Sequence, residues 1–104
     1  MKSRFHEAAD ADLTGAIAYY DTASAGLGDR LLAEVRAAIA YLEQFPMSAP
    51  ILDDDIRGKV LVRFPHTLLY VIDDAQVLIL AVAHQSQDVA AWLATVSDRR
   101  RTER

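Results

Sequence analysis

Four side chains in the second half of the chain are of the types that act on a phosphodiester. Arg57, Lys59 and Arg63 are cations, and His84 is an imidazole. Cleavage of RNA through its 2′-hydroxyl needs a base, an acid and positive charge beside the phosphorane. The three basic residues could supply the charge. His84 is the nearby group whose ordinary pKa suits proton transfer near neutrality. Strict alternation puts Arg57, Lys59, Leu61 and Arg63 on one strand face and Val60, Val62 and Phe64 on the other. A basic stripe on a solvent-facing sheet surface is therefore expected, with the apolar face turned to helices.

Each of these residues also has a plainer role. Arg63 and Lys59 can simply solvate an open sheet face. Arg57 can pair with Asp54 or Asp55 at the surface, which carries little energy. A histidine at a strand end is more often a turn or packing residue than a catalyst. Among the aromatics, Tyr70 lies mid-strand among Leu68, Leu69 and Ile72, so core packing is its default. Tyr19 and Tyr20 read as helix-packing rings, and Trp92 as the anchor of a last helix or part of a partner contact. Asp53-Asp54-Asp55 has neither the alternating ligands nor the glycine of a calcium loop, and reads as a solvated acidic loop. The chain has no cysteine, which removes disulfides, thiolate metal sites and thiol catalysis. No metal or cofactor is expected.

The elements that position these residues follow from periodicity. Residues 3–6 read as a short strand. From Glu7 to about Asp21, Leu13, Ala16, Ile17 and Tyr20 mark one helix face. Gly15 weakens that helix or permits a close neighbour. Ser24-Ala25-Gly26 breaks it. A second helix is expected from about Gly28 to Phe45, with Leu31, Val35, Ala38, Leu42 and Phe45 as its stripe and Leu32 and Ile39 widening it. Pro46 and Pro50 end it. Two helices joined this closely should form an antiparallel hairpin. Residues 49–56 read as a loop. Strands are expected near 59–64, 67–73 and 77–84, rich in Val, Ile and Leu and punctuated by Phe64-Pro65-His66 and Asp73-Asp74. A last helix near 88–96, with Asp88 at its cap, would present Val89, Trp92, Leu93 and Val96.

Length and charge bound the rest. With 104 residues, 52% of them apolar, one domain with its own core is expected over residues 1–96. Residues 97–104, SDRRRTER, hold no apolar side chain and read as a disordered basic tail. The net charge of −4 argues against general nucleic-acid affinity, although Arg57, Lys59 and Arg63 and the arginine-rich tail leave room for a local basic patch. No apolar run is long enough to span a bilayer, and no signal-peptide core opens the chain, so a soluble cytoplasmic protein is expected.

The ordered set of residues resembles a known family. Phe5 and Glu7-Ala8, Asp12-Leu13, Tyr19-Tyr20, Gly26-Leu27-Gly28-Asp29-Arg30, Phe45-Pro46, Ile56-Arg57, Arg63-Phe64-Pro65, Leu69-Tyr70, Val77 through Val82, His84 and Trp92 stand in the register of the RelE/ParE superfamily of bacterial type II toxins. The resemblance covers roughly residues 3–93. It implies an α+β fold: a short N-terminal strand, an antiparallel helix hairpin packed on an antiparallel β-meander, and a short C-terminal helix.

It also implies a growth-inhibiting toxin, of a kind associated with plasmid stabilisation, silenced by a partly disordered antitoxin that carries the DNA-binding part. Direct DNA binding and membrane contact by this chain are not expected. The spacing around Tyr19-Tyr20, Gly-Leu-Gly and Arg-Phe-Pro is closer to the ParE-like branch, whose target is DNA gyrase. The alternative is a RelE-like, ribosome-dependent mRNA endoribonuclease using Arg57, Lys59, Arg63 and His84. After the last strand, however, the family's usual arginine is Gln87, its proline is Val89, and Gln85 is uncharged. That departure raises a further alternative, an attenuated member that binds antitoxin without toxicity. Tyr19, Tyr20, Tyr70, Gln87 and Trp92 are the candidate target or antitoxin contacts.

Overall fold

The structure is a computed structural model and describes residues 1–102. Strand β1 (Lys2–Phe5) leads into helix α1 (Glu7–Ala23). The Nδ1 of His6 accepts from the N–H of Ala8 at 3.0 Å, so a histidine caps α1. Glu7 and Asp10 add negative charge beside the positive end of the helix dipole. Helix α2 (Leu27–Gln44) follows after three residues, as the hairpin reading expects. Gly26 takes φ 88° in the turn, a left-handed geometry that glycine adopts without a Cβ clash. The first turn of α2 is capped from the other helix: Asp21 Oδ1 accepts from the Gly28 N–H at 2.8 Å. Helix α2 stops at Gln44, two residues before Pro46.

The remainder builds the sheet: β2 (Ile51–Asp53), β3 (Ile56–Val60), β4 (His66–Asp73) and β5 (Gln76–His84), then α3 (Val89–Thr102). The five strands lie in the order β1-β5-β4-β3-β2, with β1 parallel to β5 and the other pairs antiparallel. Asp73 faces Gln76 across a two-residue turn in which Asp74 and Ala75 have φ 51° and 58°. Two positive φ values make this the primed hairpin turn that matches strand twist.

Residues 51–53, expected within a loop, form the edge strand β2. The strand expected near 59–64 sits three residues earlier, over 56–60.

The sheet is covered on both faces. Leu13, Leu31, Val35 and Ala38 of the hairpin pack on Leu61, Phe64, Leu68 and Val82. Ala9 and Leu42 pack with Tyr70, Val77 and Ile79. Leu69, Val71, Leu78, Leu80, Ala81 and Ala83 point the other way, against Trp92, Leu93 and Val96 of α3. Strands buried on both faces read as near-continuous apolar runs, which explains VLILAVA in β5.

This arrangement corrects the expected open sheet face. Arg57 and Lys59 do not form a stripe on a bare surface. Lys59 lies on the hairpin side, its ammonium 4.8 Å from the Tyr41 ring of α2. The strand ends at Val60, so alternation fails beyond it. Leu61 and Phe64 both turn into the core, while Val60 and Val62 are 55% and 92% exposed.

The basic tail is also different from the expected disordered segment. Helix α3 continues through Ser97 to Thr102. Its start is capped as expected, with Asp88 Oδ1 accepting from the Ala90 N–H at 3.1 Å. Its second half is held by charge rather than by apolar burial. Arg99 Nη1 reaches Asp12 Oδ2 at 2.7 Å and the Leu80 carbonyl at 2.9 Å, and Arg100 makes a two-point pair with Asp55. Residues 103–104 lie outside the described residues.

Candidate functional site

Two depressions share Tyr20 at the end of the hairpin nearest His66. The larger, of about 910 Å³, lies between the first half of α2 and the 62–65 loop. Its lining includes Leu27, Arg30, Ala33 and Glu34 on one side and Val62 to Pro65 on the other. The smaller, of about 480 Å³, is lined by Ala16, Tyr19, Tyr20, His66, His84, Ser86 and Gln87.

Local chain geometry explains the larger groove. Positions 27, 30, 33 and 34 fall on one face of α2. The loop opposite is pinned by Glu34, whose carboxylate accepts from the backbone N–H groups of Val62 and Arg63, the latter at 3.1 Å. Tyr20 closes the end, edge-on to Phe64 at 5.1 Å between ring centroids. The floor is apolar, and the guanidinium-bearing residues Arg30 and Arg63 stand at its rim.

The smaller depression holds two histidines with ring centroids 5.0 Å apart. His84 Nδ1 accepts from the Ser86 N–H at 3.0 Å and lies 2.7 Å from Ser86 Oγ. That contact ties His84 Nδ1, as an acceptor, to its own turn. His66 is 5% exposed, and its buried Nδ1 has no hydrogen-bond partner among the described residues. Burial first, and then the neighbouring His84, push its pKa below the ordinary histidine value. Gln87 does not extend as a ligand arm; its Oε1 accepts from the His84 N–H at 2.9 Å.

The candidate catalytic residues are dispersed. Arg57 Nη1 is committed to the carbonyls of Met47 and Ala49, at 3.1 and 2.7 Å, and staples the loop after α2. Arg57 pairs across β4 with Tyr70, which faces Ile79 of β5, five residues short of His84. That offset alone is about 17 Å along the strand. Lys59 is drawn to Tyr41, and Arg63 lies on the larger groove. Arg57 and Lys59 therefore do not converge with the His84 imidazole on one phosphate, while Arg63 lines the depression next to it.

The candidate contact residues divide in the same way. Tyr19 is 69% exposed and stacks edge-on against half-buried Tyr20 at 5.4 Å, so both are accessible. Tyr70 is fully buried and donates its hydroxyl to the Pro46 carbonyl at 2.7 Å, which removes it as a partner contact and bears out the core role. Trp92 packs α3 on the far side of the sheet, with Arg99 5.2 Å above its ring, and is remote from both depressions.

Glu34 and His66 line these sites without any functional mark in the sequence, and Arg30 is marked there only as the end of the Gly26–Arg30 family segment. Arg30 and Glu34 look like the ordinary polar face of α2. His66 looks like a turn residue after Pro65.

The sheet edges differ in availability. Past Ile79, β1 has ended and β5 would expose its backbone. Asp12 Oδ2 instead accepts from the Val82 N–H at 3.1 Å, Arg99 binds the Leu80 carbonyl, and Gln87 covers the His84 N–H. At the opposite edge all three residues of β2 are exposed, including Ile51 and Leu52. Among the described residues no group of three or more His, Cys, Asp or Glu side chains is placed to hold a metal ion. No described helix is long and apolar enough to cross a membrane.

Comparison with known proteins bears on what this surface serves. A family model described as the ParE toxin of the type II toxin–antitoxin system parDE matches residues 4–89. The fold is similar to a solved structure described as the chromosomal ParDE TA system from P. aeruginosa, with a TM-score of 0.72 and 18% identity, covering 81% of this chain and 95% of that one. No curated protein matches this chain in sequence.

Proposed function

We infer that this chain, which belongs to the ParE toxin family of type II toxin–antitoxin systems, inhibits growth by binding a large protein target, DNA gyrase, and does not cut RNA. A cognate antitoxin silences it. The observation that carries this reading against the nuclease alternative is the separation of Arg57 and Lys59 from His84. A nuclease of the RelE kind needs its cations and its proton-transfer group around one phosphate. Here Arg57 is consumed by two carbonyls and His84 by Ser86. The turn that would add cations carries Gln85 and Gln87. Gyrase as the target follows from family membership and from the ParE-like spacing of the sequence.

The same reading gives the partner its chemistry. A segment that is partly disordered when free gains affinity by laying apolar side chains into a groove or by adding to an open strand edge. The helix hairpin supports the first mode through the groove at Phe64, and the exposed β2 edge supports the second. The edge of β5 past Ile79 is already occupied by Asp12, Arg99 and Gln87.

Induction of the chain alone in a bacterial host, with DNA-damage signalling and message integrity followed together, tests the function. DNA-damage induction with intact message is the expected result. Message cut within the ribosomal decoding site, abolished by Arg63→Ala, would overturn it. Normal growth with soluble folded protein would instead identify a member that binds antitoxin without toxicity.

A further inference from the structure

We propose that His66 and His84 form a two-point site for a borderline first-row divalent cation, of the Zn²⁺ or Cu²⁺ kind, in the smaller depression beside Tyr20. The site is independent of the toxin reading above and is tested apart from it.

The backbone brings the two rings together. The chain has three histidines, and two of them meet here. His66 opens β4, His84 closes β5, and they are direct partners in the antiparallel ladder. Residues directly opposite project from the same sheet face, with Cβ atoms about 4.5–5.5 Å apart. Both line the same depression, with ring centroids 5.0 Å apart and planes at 82°. Two imidazoles on one tetrahedral Zn²⁺, each with a Zn–N bond of about 2.0–2.1 Å, hold their centroids about 5 Å apart. The separation is therefore met without moving the backbone. That backbone is anchored on both strands. The His66 N–H donates to the Phe64 carbonyl at 2.8 Å, the His66 carbonyl accepts from the Leu61 N–H at 2.9 Å, and the His84 carbonyl accepts from the Gln87 N–H at 3.1 Å.

The ring nitrogens have a use for an ion. A buried imidazole nitrogen without a partner, as at His66, leaves the desolvation of the ring uncompensated. Coordination gives that ring a bond in return. Burial also disfavours its imidazolium form, and the neutral ring is the form that ligates. At His84 the turn occupies Nδ1, so Nε2 is the ligand nitrogen. Coordination there requires the ring proton on Nδ1, where Ser86 Oγ stands 2.7 Å away as its acceptor. A ligating imidazole characteristically donates its other N–H to such an oxygen. The Ser86 N–H is then left to solvent. The rest of the lining is Ala16, Tyr19, Tyr20, Ser86 and Gln87, which includes no Lys or Arg to repel a cation and no carboxylate to favour a hard one. Imidazole nitrogens suit Zn²⁺ and Cu²⁺, whereas Mg²⁺ and Ca²⁺ take oxygen ligands. With two protein nitrogens the site is open, and water fills the remaining positions.

The test uses the untagged full chain, stripped of metal, in four forms: wild type, His84→Gln, His66→Gln and a control, His6→Asn. The control removes the third histidine and keeps a side-chain oxygen to cap α1. The His6 N–H donates to the Ile79 carbonyl, five residues short of His84 on β5, or about 17 Å along the strand. Thermal melts without metal establish which forms fold. Each is then titrated with zinc chloride by calorimetry, and wild type also in the presence of an equal concentration of magnesium chloride. The expected result is one Zn²⁺ per wild-type chain, unaffected by Mg²⁺. Affinity should fall about tenfold or more in each of His84→Gln and His66→Gln and stay within about threefold in His6→Asn. Excess Zn²⁺ should raise the melting temperature of wild type and leave that of His84→Gln unchanged. If His66→Gln does not fold, His84→Gln, at a partly exposed position, decides. Absence of Zn²⁺ binding to folded wild type overturns the proposal. Full affinity in a folded form of either His84→Gln or His66→Gln also overturns it, as does displacement by Mg²⁺, which would place the ion on carboxylates elsewhere.

Discussion

Arg99 is the side chain on which the placement of α3 depends, and Arg99→Ala measures how much. The guanidinium makes three hydrogen bonds: two to Asp12, at 2.7 and 3.3 Å, and one to the Leu80 carbonyl at 2.9 Å. The paired side chains are 16% and 18% exposed, so solvent screens them far less than a surface pair. Hydrogen bonds to charged groups contribute about 1.5–3 kcal/mol each, and bonds sharing one side chain do not add. Removal of Arg99 also leaves Leu80 O without its donor and the half-buried Asp12 carboxylate with only the Val82 N–H. A loss of about 2–4 kcal/mol is expected, a large share of the 5–15 kcal/mol typical of such a domain. For a domain near 100 residues this lowers Tm by about 10–25 °C. The matched control is Arg101→Ala, whose partner Asp98 is one helical turn away with both side chains about 70% exposed. It should change stability by less than about 0.5 kcal/mol. Thermal and urea melts followed by far-ultraviolet circular dichroism, with Asp12→Ala and the double variant, complete a cycle that isolates the coupling. If Arg99→Ala melts within about 2 °C of Arg101→Ala, the pair is not holding α3 to the sheet.

Two further predictions concern the hairpin and its histidine. Gly28→Ala places a Cβ 2.6 Å from the Ile17 carbonyl oxygen and 2.8 Å from Asp21 Oδ2, and should cost about 1–3 kcal/mol or more; Gly15→Ala meets nothing within 4 Å and should stabilise by about 0.5–1 kcal/mol in the same urea titration. Equal effects of the two would mean that the helices do not close at Gly28. His66 is held below its ordinary pKa in the folded chain, so below about pH 6.5 the unfolded chain takes up a proton that the folded chain refuses. Stability should therefore fall as pH drops from about 6.5 toward the folded value, and His66→Leu should flatten that limb between pH 7 and 5.5. An unchanged slope in the variant would assign the acid sensitivity to other groups.

Much of the scaffold was legible in the chain. The stripe of Leu31, Val35, Ala38 and Leu42, the stop at Pro46, the strand punctuation at Asp73-Asp74 and the Asp88 cap are local patterns, and each sits where its residues place it. The family register was legible for the same reason, since it is a set of local residues in order. The faces of the sheet were not. Alternation from Arg57 to Phe64 holds only while the strand lasts, and β3 ends at Val60.

The sequence by itself determined the helix hairpin, the apolar strands and the family. Those depend on contacts between residues close in the chain, where backbone geometry and side-chain period leave few choices. Tertiary structure alone decided that 97–102 is helical, because its stabilising partner Asp12 is 87 residues from Arg99. It alone decided that Gly28, and not Gly15, is the point of close approach between the helices, since that depends on the rotation of one helix against the other. It also decided that Arg57 and His84 belong to separate places while Arg30 and Arg63 border one groove. Which side chains converge is set by crossing and register between distant segments, and no local pattern records that.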